Sequence, residues 1–173
     1  MTDLRYPLGK FSFRDAYDAQ QVAQAMAEIE ALPAQLKSAV EDLNHDQLAT
    51  PYRPEGWTVA QVVHHLPDSH LNGYIRMKWA LTEDGPTLRT YFEERWAELP
   101  DGASLELEMS LGLLAALHQR WVWMLRRLGP SQLERPVVHP EWGAVSLAGL
   151  VAQYAWHGRH HLAHITSLRQ RSG

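Results

Sequence analysis

Ser146-Leu147-Ala148-Gly149-Leu150-Val151-Ala152-Gln153-Tyr154-Ala155-Trp156-His157-Gly158-Arg159-His160-His161-Leu162-Ala163-His164-Ile165-Thr166-Ser167-Leu168-Arg169-Gln170 has the spacing of one long amphipathic helix. Its apolar residues (Leu147, Leu150, Val151, Tyr154, Ala155, Leu162, Ile165 and Leu168) recur every three or four positions and form a single stripe. Ser146 stands where an N-cap belongs. Four histidines fall within eight residues, and two i,i+4 pairs are available: His157 with His161, and His160 with His164. Residues four apart share a face and can reach one ion. Stepping about 100° per residue puts His161 inside the apolar stripe and His157 at its edge. His164 falls just beyond the edge, and His160 further out toward solvent. The pair turned toward a bundle interior is therefore His157 with His161.

Three other segments carry the same period. The first runs from about Asp18 to Asp42, with Val22, Met26, Ile29, Leu32, Leu36 and Val40 on one face and Pro33 predicting a kink or break near Leu32. A short turn capped by Asn44, with Gln47 three residues on, follows it. The second helix runs from about Trp57 to Leu81, opened by a Thr58/Gln61 capping box, and Pro67 predicts a bend within it. The third runs from about Ser104 to Leu128 and stops at Gly129-Pro130. Residues 83 to 103 form a long connection with a helical turn expected at Tyr91 to Leu99. Ser131 to Glu134 reads as another capped turn, and residues 136 to 145 read as a loop. No segment shows convincing strand alternation. The expectation is an all-α fold: a four-helix bundle in one domain over residues 1–173, with the long connection crossing over between the second and third helices.

The bulk composition narrows the function. At 173 residues the chain is long enough for a proper core. It has no cysteine, which excludes disulfides, thiolate ligands and a thiol nucleophile. Net charge is −4, and the adjacent pair Arg126-Arg127 suits a helix C-terminus, so nucleic acid is not an expected partner. No signal peptide and no membrane-spanning run is evident, which points to the cytoplasm. There is no Gly-x-Ser-x-Gly elbow, phosphate-binding glycine loop or His-Glu-x-x-His. Histidine is the unusual residue: there are ten, and besides the last-helix cluster His64, His65 and His70 fall within seven positions.

A third ligand from the second helix would complete a metal site between facing helices. On a regular helix His70 would face inward better than His65, and His64 would point away, but Pro67 disturbs the wheel and periodicity leaves the choice open. Asp68 and Ser69 are candidates to orient an imidazole as hydrogen-bond acceptors. His139, before a proline in the 136–145 loop, reads as a surface turn that could reach the site mouth. Arg159 and His160 read as a solvated face that could contact an anion. Trp121-Val122-Trp123-Met124 reads as core or subunit interface.

The motif Gly56-Trp57-Thr58-Val59-Ala60-Gln61-Val62-Val63-His64-His65-Leu66, followed by Asp68-Ser69-His70, resembles the second-helix motif of the DinB-like superfamily, most closely its YfiT branch of metal-dependent hydrolases and bacillithiol S-transferases. The resemblance continues through Tyr6-Pro7-Leu8-Gly9, Thr50-Pro51-Tyr52-Arg53, Leu81-Thr82-Glu83 and Tyr154-x-Trp156-His157-x-x-x-His161-x-x-His164-Ile165, in order over nearly the whole chain. Pro67 departs from it. The resemblance implies a metal on His65, His157 and His161, and a homodimer. Imidazole ligands suit Zn2+ first and Ni2+ second here, and three protein ligands leave a position for water or a small-molecule substrate. The implied activities are metal-dependent hydrolysis or transfer of a low-molecular-weight thiol. A non-enzymatic metal-binding bundle is the alternative from a different class.

Overall fold

A computed structural model describes residues 3–172. Asp18 caps α1 (Ala19–Val40) with Gln21 completing a capping box. Asn44 does the same with Gln47 for the single turn α2 (His45–Leu48), and Thr58 with Gln61 for α3 (Val59–Thr82). The connection holds the turn α4 (Glu93–Trp96), after which come α5 (Glu108–Leu125) and the turn α6 (Pro130–Leu133). Two strands, β1 (Pro136–His139) and β2 (Gly143–Ser146), precede α7 (Leu147–Ser172). Ser146 Oγ accepts from the Gly149 N–H at 3.0 Å, so the cap expected for the last helix forms.

The four long helices α1, α3, α5 and α7 form the bundle. α1 packs against α5 and α7, and α3 packs against the same two, so α1 and α3 lie diagonally. Contacts between His64 and Ser110, His70 and His118, and Met77 and Trp121 advance together along α3 and α5, which are therefore parallel. A parallel pair cannot be joined by a short turn, and this is why residues 83–107 run the length of the bundle as a crossover. α3 and α7 are antiparallel, since His65 meets His157 while Arg76 meets Tyr154. α1 and α7 are parallel, with Glu28 beside Arg159 and Ala39 beside Arg169.

Three expectations change. Residues 136–146 form an antiparallel hairpin rather than a loop, pairing Val137 with Val145 and His139 with Gly143. Each strand is four residues, too short for alternation to register, and β2 opens on Gly143 at φ 72°, a left-handed conformation that glycine adopts without strain. The crossover is stitched to this hairpin: Leu88 N–H donates to the Val138 carbonyl and Val138 N–H to the Pro86 carbonyl. The third helix begins at Glu108, four residues later than expected: Ser104 accepts from the Glu106 N–H through its Oγ, and its carbonyl is engaged by His64 Nε2 at 2.9 Å instead of starting the helix. Helix α1 runs through Pro33 without a break; α3, for which a bend and not a break was expected, is likewise continuous through Pro67.

The interior has two apolar clusters. One, around Ile29, Tyr74, Trp121, Leu150 and Tyr154, lies toward the hairpin. The other, around Leu32, Leu36, Leu66, Leu114 and Ile165, lies toward α2. Between them α7 carries His157, His160, His161 and His164, and His65 and His70 of α3 face His157.

Candidate metal centre

His65 on α3 and His157 and His161 on α7 come together at that polar layer. Each offers a nitrogen within 4.8 Å of the others. His65 Nε2 stands 3.3 Å from His157 Nε2. Two nitrogens about 2.0–2.1 Å from a tetrahedral zinc would be roughly 3.3–3.4 Å apart, so this edge has the length such an ion needs. His161 Nδ1 is buried with no hydrogen-bond partner among the described residues, as are His160 Nδ1 and His164 Nδ1 on the same helix. No carboxylate takes part in the set. The donors are three imidazoles, which fits zinc or nickel and not magnesium or calcium.

Burial keeps these rings neutral, the form in which imidazole binds metal. It lowers His65 to about 3, and pushes His157 and His161 well below the ordinary histidine value, with neighbouring imidazoles adding to the effect. Trp57, just before the cap of α3, lies 4.7 Å from the His65 ring and stacks at 6.2 Å and 19° on His161, forming an apolar wall.

The other histidines divide into two groups. His64 turns to α5, with Nε2 2.9 Å from the Ser104 carbonyl and Nδ1 2.7 Å from Ser110 Oγ. His70 is fully buried: its Nε2 is 3.1 Å from His157 Nδ1 and its Nδ1 2.8 Å from His118 Nε2. The wheel was right that His70 faces inward; it touches a member of the cluster instead of joining it. Asp68 and Ser69 make no hydrogen bond to an imidazole among the described residues, so His70, not a carboxylate or hydroxyl, orients His157. His118 was unassigned from sequence, although Leu114, Leu117, Trp121 and Leu125 place it on the buried stripe of α5.

His160 is the clear correction. Expected in solvent, it is 6% exposed, stacked on Trp156 at 4.6 Å and covered by Tyr6. The N-terminal segment lies over that face of α7. His164 stacks on Tyr52 at 3.9 Å, and its Nε2–H donates to the Arg5 carbonyl. His139 is buried under Trp142, stacked at 3.7 Å, rather than lying in a surface turn. Arg159 pairs with Glu28 and is not a free anion site. Trp121 is core and Trp123 is exposed, so the tryptophan run divides between two environments. No helix among the described residues is long and apolar enough to cross a membrane.

Beyond the cluster, Arg76 donates to Tyr154 Oη and the Arg89 carbonyl, clamping the crossover over α3 and α7. Burial pushes the Asp68 carboxyl up to about 6, with the charge of Asp101 adding to it.

Comparison with known proteins agrees with this architecture. A protein of Bacillus mycoides (strain KBAB4) named "Putative metal-dependent hydrolase" is 53% identical over 171 residues, covering 99% of this chain and 98% of its own length. A protein of the same name from Bacillus cereus (strain 03BB102) matches equally, at 53% with the same coverage. Among solved structures, YfiT from Bacillus subtilis, described as "a probable metal-dependent hydrolase with an unusual four-helix bundle topology", is 45% identical with a TM-score of 0.95, covering 98% of both chains. A more distant four-helix bundle protein, 20% identical with a TM-score of 0.61 over 84% of this chain and 98% of its own, shares the fold. The model of the DinB superfamily matches residues 28–165, and this chain belongs to that superfamily.

Proposed function

We propose that the protein is a metal-dependent hydrolase in which His65, His157 and His161 hold one divalent ion, zinc in the first place and nickel in the second. The observation that carries this reading is the convergence of three imidazoles from two helices, two of them buried and that of His157 half-buried, with no fourth protein donor among the described residues. His65, His157 and His161 would hold the ion, which would supply Lewis acidity and make water acidic enough to ionise at a pH of about 7. The chain's own residues do the rest. Trp57 shields one side of the set from bulk water. Asp68, three residues along α3 from His65, has its carboxyl pushed up to about 6 by burial, which would suit proton transfer near neutral pH.

A second reading rests on the charge of the same site. Three neutral imidazoles leave the charge of a divalent ion uncompensated, which suits an anionic fourth ligand such as the thiolate of a low-molecular-weight thiol. The reaction would then be transfer of that sulfur to an electrophile. The two readings separate when zinc-loaded protein is incubated with a low-molecular-weight thiol and an electrophile and both conjugate and hydrolysis products are followed. Hydrolysis that is lost on chelation and in His161→Ala supports the first reading. Metal-dependent conjugation without hydrolysis rejects it in favour of the second. Stoichiometric zinc with neither reaction, and no exchangeable water at the ion, would leave a non-enzymatic metal bundle.

A further inference from the structure

The ring of His157 is the last member of a hydrogen-bonded chain that takes one residue from each of the four long helices. It starts at a proline. Pro33 has no N–H, so the Ile29 carbonyl one turn earlier in α1 has lost its helical donor. His118 Nδ1 on α5 bonds that carbonyl. A carbonyl only accepts, so His118 Nδ1 carries the proton and its Nε2 has the lone pair. His118 Nε2 lies 2.8 Å from His70 Nδ1, which must then be the donor. His70 Nε2 is left as an acceptor, and at 3.1 Å its partner is His157 Nδ1, which must donate in turn. His157 Nε2 is left with a lone pair facing His65. This alternation of donor and acceptor holds only for neutral rings. His70 and His118 are 0% and 1% exposed and have no carboxylate partner among the described residues, so a charge on either would be buried and uncompensated.

We infer that Ile29, His118 and His70 form a relay that fixes His157 in its Nδ1–H tautomer, with the Nε2 lone pair presented to the metal site. His118 and His70 are positioning residues that act through His157. The role of the lone pair rests on the metal reading above; the tautomer assignment does not. A single acceptor beside a ligating histidine commonly does this job. Here the acceptor is another imidazole, itself ambiguous until something fixes it, and only the carbonyl at the far side of the bundle removes the ambiguity.

The test uses full-length protein labelled with 15N at histidine and kept in chelator, with the tautomer of each ring read from long-range 1H–15N correlations. His118, His70 and His157 should all be Nδ1–H, the minor form of neutral imidazole in water. In His118→Leu, His70 should pass to the Nε2–H form, donate to His157 Nδ1 and drive His157 to Nε2–H. Zinc affinity, measured by competition with a chelating dye, should fall about ten- to hundredfold. His118→Gln places an acceptor oxygen where Nε2 stood and should keep the wild-type tautomers and most of the affinity. It also serves if the leucine variant does not fold. Nε2–H at His70 or His157 in the wild type overturns the relay, and so does a folded His118→Leu with unchanged His157 tautomer and unchanged zinc affinity. If the tautomers are as stated and the wild type binds no zinc, the relay stands and the metal reading falls.

Discussion

Neighbouring histidines on α3 have opposite assignments, and the difference is measurable. His65 faces α7 and the candidate cluster, while His64 faces α5 and bridges Ser104 and Ser110. His65→Ala should abolish stoichiometric zinc binding. His64→Ala should retain zinc and lower stability by about 1–3 kcal/mol, because it leaves two polar groups without partners. Bound metal by elemental analysis and a urea midpoint check both, and zinc lost from His64→Ala instead would reverse the assignment. The last-helix pair was legible in the sequence because a regular helix maps position to face. His65 was not, since Pro67 left the wheel's choice open and only the resemblance pointed to it. His160 and His139 were misjudged for a different reason. A wheel says which side of a helix faces the bundle; it cannot show an irregular segment such as Tyr6 lying over the other side, or a four-residue hairpin folding Trp142 onto His139.

Each long helix was legible because it carries its own punctuation. The Thr58 and Ser146 caps and the Gly129-Pro130 stop are local, whereas the start of α5 and the hairpin depend on tertiary contact; the Asp18 cap is equally local but was not read. How closely the helices approach is set by glycines that no periodicity ranks. A Cβ at Gly73 on α3 would lie 2.5–2.7 Å from three ring carbons of Tyr154 on α7. That ring is rigid and tied by its hydroxyl to Arg76. A Cβ at Gly158 would meet one methyl, the Cδ2 of the core residue Leu32, at 2.5 Å, with the rest of that side chain at 3.4 Å. Both changes gain about 1 kcal/mol of helix propensity over glycine. Gly73→Ala should nevertheless destabilise by about 1–3 kcal/mol, through overpacking against a ring that cannot move. Gly158→Ala should be near neutral. Urea denaturation of the two variants side by side checks the order; a stable Gly73→Ala would mean that α3 and α7 can separate without cost.

For the molecule as a whole, the histidine layer makes folding and protonation compete. Eight imidazoles are held below their ordinary value, chiefly by burial: His65 at about 3, His118, His160 and His164 at about 4, and His70, His139, His157 and His161 lowered as well. In the unfolded chain they titrate near 6.5. Between the two values the unfolded state binds protons that the folded state refuses, so stability rises with pH across this window and is fully present above about 6.5. His118 alone accounts for a loss of about 3 kcal/mol as pH falls from 7 to 4, at 1.36 kcal/mol per unit. Asp68 and Glu93 work in the opposite sense: burial raises both, and the folded state takes up their protons first. Two carboxyls do not offset eight imidazoles. In chelator the urea midpoint should therefore be flat from pH 8 to about 6.5 and fall steeply toward pH 4.5. Zinc at a hundredfold excess over its dissociation constant should add about 2.7 kcal/mol at pH 7.5. That increment should persist across the same acid window, because the ligands stay neutral in the folded state, and shrink only as pH approaches about 3, where His65 takes up its proton. A midpoint in chelator that is level or rises down to pH 4.5 would mean that the layer is hydrated and charged in the folded protein. With it would go the neutral donors on which both the metal site and the relay depend.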